Sequence, residues 1–196
     1  MQYPKTIETT RLLLRPWRED DAPALYTYAK DDRVGPAAGW PVHTSVEHSA
    51  EVIRTVLSAP GTYAVTLRGS DTPIGCIGFK PTSAEPGLGQ LEIGYWLGVP
   101  FWGNGYMPET VRALLGCAFG PLRQDTIWCS HSADNHNSRR VIKKCGFTFR
   151  FACQEDVPLL QERREIWYYT LAAGDWRTLE TGGCPDGTVS DPDRPG

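Results

Sequence analysis

The sequence predicts an α/β (mixed α+β) fold, with a central twisted mixed sheet of about six to seven strands and helices on both faces. Three observations carry this. The run LEIGYWL at 91–97 is almost continuously apolar, as a strand at the middle of a sheet must be. After it, Met107, Val111, Leu114, Leu115 and Ala118 recur at i, i+4, i+7, i+8 and i+11, the spacing of one face of a helix. Hairpin-like connections in the middle of the chain and strand–helix crossovers later imply a sheet that is neither purely parallel nor purely antiparallel.

The elements follow in order. Arg11-Leu12-Leu13-Leu14-Arg15 is a short apolar run in a polar frame and reads as the first strand. Pro16 and Trp17 end it, and residues 18–23 open a helix with acids near its positive dipole end. That helix runs through Leu25, Tyr26 and Ala29 to about Lys30. Residues 31–45 are rich in Gly and Pro and form a loop. Ser45 or Thr44 caps a second helix carrying Val52, Ile53, Val56 and Leu57. Strands at 63–67 and 74–80 flank a turn at Gly69-Ser70-Asp71, and the central strand follows. Pro108 suits the first turn of the helix from Met107, where its missing N–H costs nothing. A strand at 126–130 leads to a short helix with Asn135 as cap, Lys143 and Lys144 at its negative end, and Gly146 in the left-handed position after it. Strands at 147–153 and 165–171 complete a domain of residues 1–174. Residues 175–196, which end in TGGCPDGTVSDPDRPG, bury too little apolar surface to order themselves and are expected to form a disordered tail.

With 196 residues the chain can build one sizeable core. Its 20 basic and 23 acidic side chains are interspersed and leave a net charge of -3, so there is no basic stripe to grip nucleic acid. No apolar run approaches the ~20 residues of a membrane helix. The first residues lack the apolar stretch and cleavage site of a signal peptide, so a cytoplasmic location is expected. Six scattered cysteines (76, 117, 129, 145, 153 and 184) contain no Cys-x-x-Cys pair, which predicts free thiols and no metal site.

The stretch PFWGNGYMPET at 100–110 raises the first functional question. A strand, a glycine-containing loop and a helix N-terminus together make an anion site, because first-turn N–H groups point outward along the helix dipole. Gly103 and Gly105 either relax a tight turn or leave those amides bare for a ligand. The pattern is neither a Rossmann fingerprint nor a P-loop. The next strand leads to a second polar helix front, Asn135-x-x-Ser138, at the same end of the sheet, and ligands in open α/β sheets favour the carboxyl ends of strands.

Four motifs, TRLLLRP at 10–16, EIGYWL at 92–97, WGNGY at 102–106 and Asn135-x-x-Ser138 followed by Lys144-Cys145-Gly146-Phe147, resemble the GCN5-related N-acetyltransferases (GNAT). The branch resembled is that of the ribosomal-protein N-terminal alanine and serine acetyltransferases. The resemblance spans about residues 7–171, with the motifs in the family's order. It implies a V-shaped splay in the sheet, acetyl-coenzyme A (acetyl-CoA) as cofactor, and direct attack of an amine on the thioester. Trp102, Gly103, Asn104, Gly105, Tyr106 and Met107 then form the pyrophosphate loop and helix start. Tyr95, Leu97, Gly98 and Val99 lie on the splayed strand that pairs with pantetheine. Asn135 is the pantetheine-side asparagine, and Ser138 returns a proton to the leaving thiolate. Pro100 stands where the family often has Arg or Gln, which removes one side-chain phosphate contact.

Amine attack needs a neutral amine, a donor for the developing oxyanion and a proton for the thiolate. A backbone N–H near Leu97 or Val99 can meet the second need. Glu92 is the candidate base; its other reading is a structural carboxylate tying strand to loop. Trp96 can wall the acyl site or belong to the core, and Trp40 and His43 can line the acceptor pocket or simply pack. His131 can act as base, line the site, or sit on the surface. Arg139, Arg140, Lys143 and Lys144 can meet a phosphate or form a solvated helix face. Residues 31–45 and 154–164 are expected to shape the acceptor pocket. The expected acceptor is a small-molecule amine or a peptide N-terminus, with no nucleic-acid or membrane partner, on a monomer or homodimer. The competing reading is a CoA-binding regulatory module without turnover; Asn135 and Ser138 favour the enzyme.

Overall fold

The structure, a computed structural model, describes residues 2–84 and 90–181. Among the described residues, eight strands form one sheet in the order β1-β2-β3-β4-β5-β6-β8-β7. They are β1 (Ile7–Glu8), β2 (Leu12–Arg15), β3 (Thr62–Leu67), β4 (Pro73–Pro81), β5 (Leu91–Leu97), β6 (Thr126–Ser132), β7 (Thr148–Val157) and β8 (Glu162–Ala172). All neighbours pair antiparallel except β5 and β6, which are parallel. The sheet is therefore mixed, with eight strands where the sequence predicted six to seven. The addition is β1, whose two residues pair with Leu13 and Leu14 and are too few to show any alternation.

Among the described residues, five α-helices flank the sheet: α1 (Ala22–Ala29), α2 (Val46–Val52), α3 (Tyr106–Phe119), α4 (His136–Lys144) and α5 (Ala173–Glu180). Strand alternation sorts the core into two clusters. Val65 and Ile77 face Met107, Val111, Leu114 and Leu115 of α3, whereas their neighbours Ala64 and Cys76 face Leu25 and Ala29 of α1. So α1 and α2 cover one face, and α3, α4 and α5 the other. The caps match the expected chemistry. Ser45 Oγ accepts from the His48 N–H at 3.1 Å, and Asn135 Oδ1 accepts from the Ser138 N–H at 3.0 Å. Gly146 takes φ +84° at the end of α4. Arg15 and Asp21, both almost fully buried, form a two-pronged ion pair at 2.7 and 2.8 Å that ties the end of β2 to the start of α1.

Two boundaries differ from expectation. Residues 154–157 and 162–164 belong to strands, so β7 and β8 form one long hairpin with a turn at 158–161. The tail predicted from residue 175 does not begin there, because α5 continues to Glu180. Trp176 anchors it, buried at 7% exposure with its ring 6.1 Å from Phe119. One large aromatic in a polar segment supplies the apolar burial that the composition of residues 175–180 hides. The remainder of the predicted tail, with Cys184, lies outside the described residues. Among the described residues, no helix is long and apolar enough to cross a membrane.

Candidate active site

The sheet opens where β5 meets β6. Their register holds for three pairs only, Leu91 with Ile127, Glu92 with Trp128, and Ile93 with Cys129. Beyond these, β5 stays with β4 as far as Leu97, while β6 stays with β8 as far as Ser132. A V-shaped gap therefore begins at Gly94. The backbone directions along β5 follow from its bonds. The Ile93 carbonyl accepts from Cys129 Sγ on the β6 side, and the Leu97 carbonyl accepts from Trp102 Nε1 at 2.7 Å, whereas the Gly98 N–H turns back to Ile74 O of β4. Alternation then aims the main-chain groups of Tyr95 and Leu97 into the gap. A cleft of about 990 Å³ fills this space, bounded by both arms of the V and by the front ends of α3 and α4.

The loop before α3 supplies the first polar wall. Gly103 (φ +80°) and Gly105 (φ +75°) are both left-handed, and Gly105 caps α3. Among the described residues, the N–H groups of Gly103, Asn104 and Gly105 have no protein acceptor. A Cβ on Gly103 would meet nothing within 4 Å. The Asn104 side chain curls back, donating to Phe101 O and Trp102 O. Arg11 holds the loop from behind: Nη1 donates to Asn104 O at 2.9 Å, Nη2 pairs with Glu109 at 2.7 Å, and the guanidinium lies 4.6 Å from the centre of the Tyr106 ring. Bare amides at the positive end of a 14-residue helix fit a diphosphate.

The second wall is the front of α4. Asn135 spends both ends of its side chain on protein, since Oδ1 caps Ser138 and Nδ2 donates to Ala37 O at 3.0 Å. It ties α4 to the loop before α2 and fixes where Ser138 sits. Ser138 Oγ lies 2.9 Å from the Tyr95 hydroxyl. Burial raises the Tyr95 phenol well above its ordinary pKa, so it stays an O–H. The sequence reads the Tyr95 ring as acyl-site wall or core; the contact of its hydroxyl with Ser138 depends on how the two arms of the V face each other, which no local pattern encodes.

Glu92 lies at the other end of the cleft, 1% exposed. Its carboxylate accepts from Ser130 Oγ at 2.5 Å and Thr82 Oγ1 at 3.2 Å, and pairs with Lys80 Nζ at 3.1 Å. Glu155 borders the same end and accepts from the Tyr168 hydroxyl at 2.6 Å. Trp96 lines the cleft with Trp17 and Trp40 behind it, their ring centres 6.3 and 6.0 Å away.

Several expected contacts fall elsewhere. Trp40 and His43 do not line the cleft. They pack together at 5.2 Å, and His43, 6% exposed, bonds Ser49 Oγ at 2.8 Å. Burial lowers the His43 pKa to about 4, with His48 adding a smaller push in the same direction. Gly98 and Val99 also lie outside the lining, because the Gly98 N–H is spent on β4 and the Val99 carbonyl accepts from the Trp102 N–H. His131 reaches the cleft wall but is neither a surface residue nor an open base. Nδ1 donates to Ser132 O at 2.7 Å, which leaves Nε2 to accept from the Tyr169 hydroxyl at 3.1 Å, and burial lowers its pKa. Residues 37–39 and 155–158 do border the cleft, among them Ala37, Gly39, Glu155 and Asp156.

Comparison with known proteins places the chain in a family. The family model for the acetyltransferase (GNAT) domain matches residues 11–148. The uncharacterized N-acetyltransferase YnaD of Bacillus subtilis (strain 168) is 28% identical over 170 residues, covering 87% of this chain and 98% of that protein. The crystal structure of a GNAT-family acetyltransferase from Bacillus anthracis superposes with a TM-score of 0.76 at 24% identity, over 86% of this chain and 99% of the other. A proposed ribosomal-protein-serine acetyltransferase of Vibrio cholerae superposes with a TM-score of 0.73 at 20% identity, over 88% and 99%. Matched by the family model over residues 11–148, and sharing its overall fold with the Bacillus anthracis enzyme, the chain belongs to the GNAT family of acetyltransferases.

Proposed function

We propose that the chain is an acetyl-CoA-dependent N-acetyltransferase that acts on a primary amine, either a protein N-terminus or a small-molecule amine, by direct attack in a ternary complex. The observation that carries this is one continuous cleft joining the bare amides of Gly103 and Gly105, the parted edge of β5 and the Ser138 hydroxyl; Asn104, between the two glycines, is not among its lining residues. Bound acetyl-CoA supplies the thioester as electrophile; everything else falls to the chain.

The loop amides and the dipole of α3 hold the diphosphate. The N–H of Tyr95 or Leu97, aimed into the gap, donates to the oxygen on which charge develops, an effect worth about 3 kcal/mol on oxyanion-hole precedent. Ser138 Oγ–H hands a proton to the departing sulfur, and the Tyr95 hydroxyl, 2.9 Å from Oγ, holds that oxygen at the cleft wall. Glu92 receives the proton that the acceptor amine must lose. An incoming α-amine is partly neutral at pH 7 and adds only about 1 kcal/mol, whereas an incoming lysine, with no tethering to offset it, adds about 4–5 kcal/mol, so α-amines and weakly basic amines suit this site as external acceptors. The five described cysteines are free thiols, which suits a cytoplasmic setting.

Two measurements test the reading. Calorimetry with CoA and acetyl-CoA should give saturable heat, and thiol release should follow addition of an amine or peptide acceptor. No heat on a folded sample rejects the site, and heat without thiol release across an acceptor panel favours a non-catalytic CoA-binding module.

A further inference from the structure

Lys80 stands at the acceptor end of the cleft without having been placed by any sequence motif. It is opposite Glu92 in the β4–β5 register. Its Nζ pairs with the Glu92 carboxylate at 3.1 Å, yet its side chain is 55% exposed and free to swing. Its stem crosses the strand over Gly94, where a Cβ would lie 3.8 Å from Lys80 Cε. Gly94 is the first residue of β5 beyond its last pair with β6, the point where the V opens. A flexible primary amine thus lies at the apex of the split, beside the one buried carboxylate among the residues lining the cleft.

We propose that Lys80 is an internal acceptor: the chain acetylates its own Lys80 Nζ in cis, using the acyl thioester bound in the cleft. The proposal rests on the acetyltransferase reading above. The Lys80 ammonium gives one proton to a Glu92 oxygen, and the freed lone pair forms an N–C bond to the thioester carbon. The C–S bond then breaks, and the sulfur leaves with its electron pair. The thiolate is protonated from the Ser138 side, the second nitrogen proton balances that transfer, and Glu92 returns its proton to solvent. The products are Nε-acetyl-Lys80, CoA thiol and one released proton, with no oxidant or further reactant. Acetylation removes the positive partner of Glu92 and leaves an uncharged amide at the acceptor end, so the modified chain presents a more anionic mouth to incoming amines.

The test is incubation of the purified full-length chain with acetyl-CoA and no added amine, followed by site-resolved mass spectrometry. Lys80 should acquire an acetyl group about 10-fold or more faster than Lys5, Lys30, Lys143 and Lys144, as expected for an amine held beside its reaction partner. The rate constant should not change with protein concentration. Lys80→Arg should abolish the mark while heat of CoA binding is retained, because arginine keeps the pairing with Glu92 and does not accept acyl groups. Gly103→Asn should slow the mark at Lys80 and leave the slow solvent acetylation of the other lysines unchanged. Acetylation of Lys80 no faster than its peers, or at a rate proportional to protein concentration, overturns the proposal. Thiol release with external amines but no mark at Lys80 overturns the internal acceptor alone; absence of both CoA binding and thiol release overturns the enzyme reading and this one with it.

Discussion

Replacing Gly103 by asparagine separates the two meanings of a left-handed glycine. Gly103 has φ +80° and Gly69, in the turn between β3 and β4, has φ +82°; neither has an atom within 4 Å of the position a Cβ would take. Asparagine is among the few residues that tolerate this backbone region. Each substitution should therefore lower folding stability by a similar, small amount, about 1 kcal/mol. Their effects on CoA should diverge. At Gly103 the new side chain stands in the open space before the amides of residues 103–105, and a hydrogen bond to a charged group is worth about 1.5–3 kcal/mol. At 1.4 kcal/mol per factor of ten, losing one such bond weakens binding about 10- to 100-fold. Urea unfolding of both variants measures the first quantity, and calorimetry with CoA measures the second. Matched stabilities with CoA affinity lost only at Gly103 support the amide cradle. If Gly103→Asn binds CoA like the parent chain, the glycines serve the turn alone.

Other expectations bear on other parts of the molecule. Ser138→Ala should lower turnover about 10-fold or more with little change in CoA affinity, and Tyr95→Phe should lower kcat through the same proton, so unchanged turnover in both removes the pair from the chemistry. His43 has a folded pKa near 4 against an ordinary 6.5, so the unfolded chain binds a proton that the folded chain refuses between those values. Stability should therefore be fully present above about pH 6.5 and decline as the pH falls toward 4; His43→Gln should flatten that slope, and an unchanged pH profile in urea melts argues against the buried neutral imidazole. Trp176→Ala should cost about 3–5 kcal/mol, whereas a true tail would lose nothing measurable by thermal melting.

How much of this was readable in the chain follows from the range over which each signal acts. The helix from Met107 and the caps at Ser45 and Asn135 were legible because their causes lie within a few residues: apolar spacing, a side-chain oxygen, an N–H three positions on. The glycine loop was legible for the same reason. Their loop alone leaves Trp40 and His43 open between lining the acceptor pocket and packing, because loop side-chain direction is set by what the side chains pack on, and Trp96 and Ser49 decide for packing. The sequence alone does not decide between base, site lining and surface for His131, because nothing local shows that Tyr169 and Ser132 claim both its nitrogens. Lys80 and the Tyr95 hydroxyl escaped notice because their roles arise from a register between β4 and β5 and from the distance across the parted strands. The tail boundary failed by averaging, since one buried tryptophan outweighs a polar segment that composition treats as uniform.

The three-pair seam between β5 and β6 has a mechanical meaning. Two antiparallel leaves, β1–β5 and β6 with β8 and β7, share a spine of three residue pairs beside a cleft that both of them border. A molecule seated there acts as a strut touching both leaves. Saturation should slow amide exchange in β5 and β6 together and lift the melting temperature in proportion to the logarithm of ligand concentration. A substitution buried far from the reacting atoms, if it tilts one leaf, then changes catalysis without touching a single reacting group.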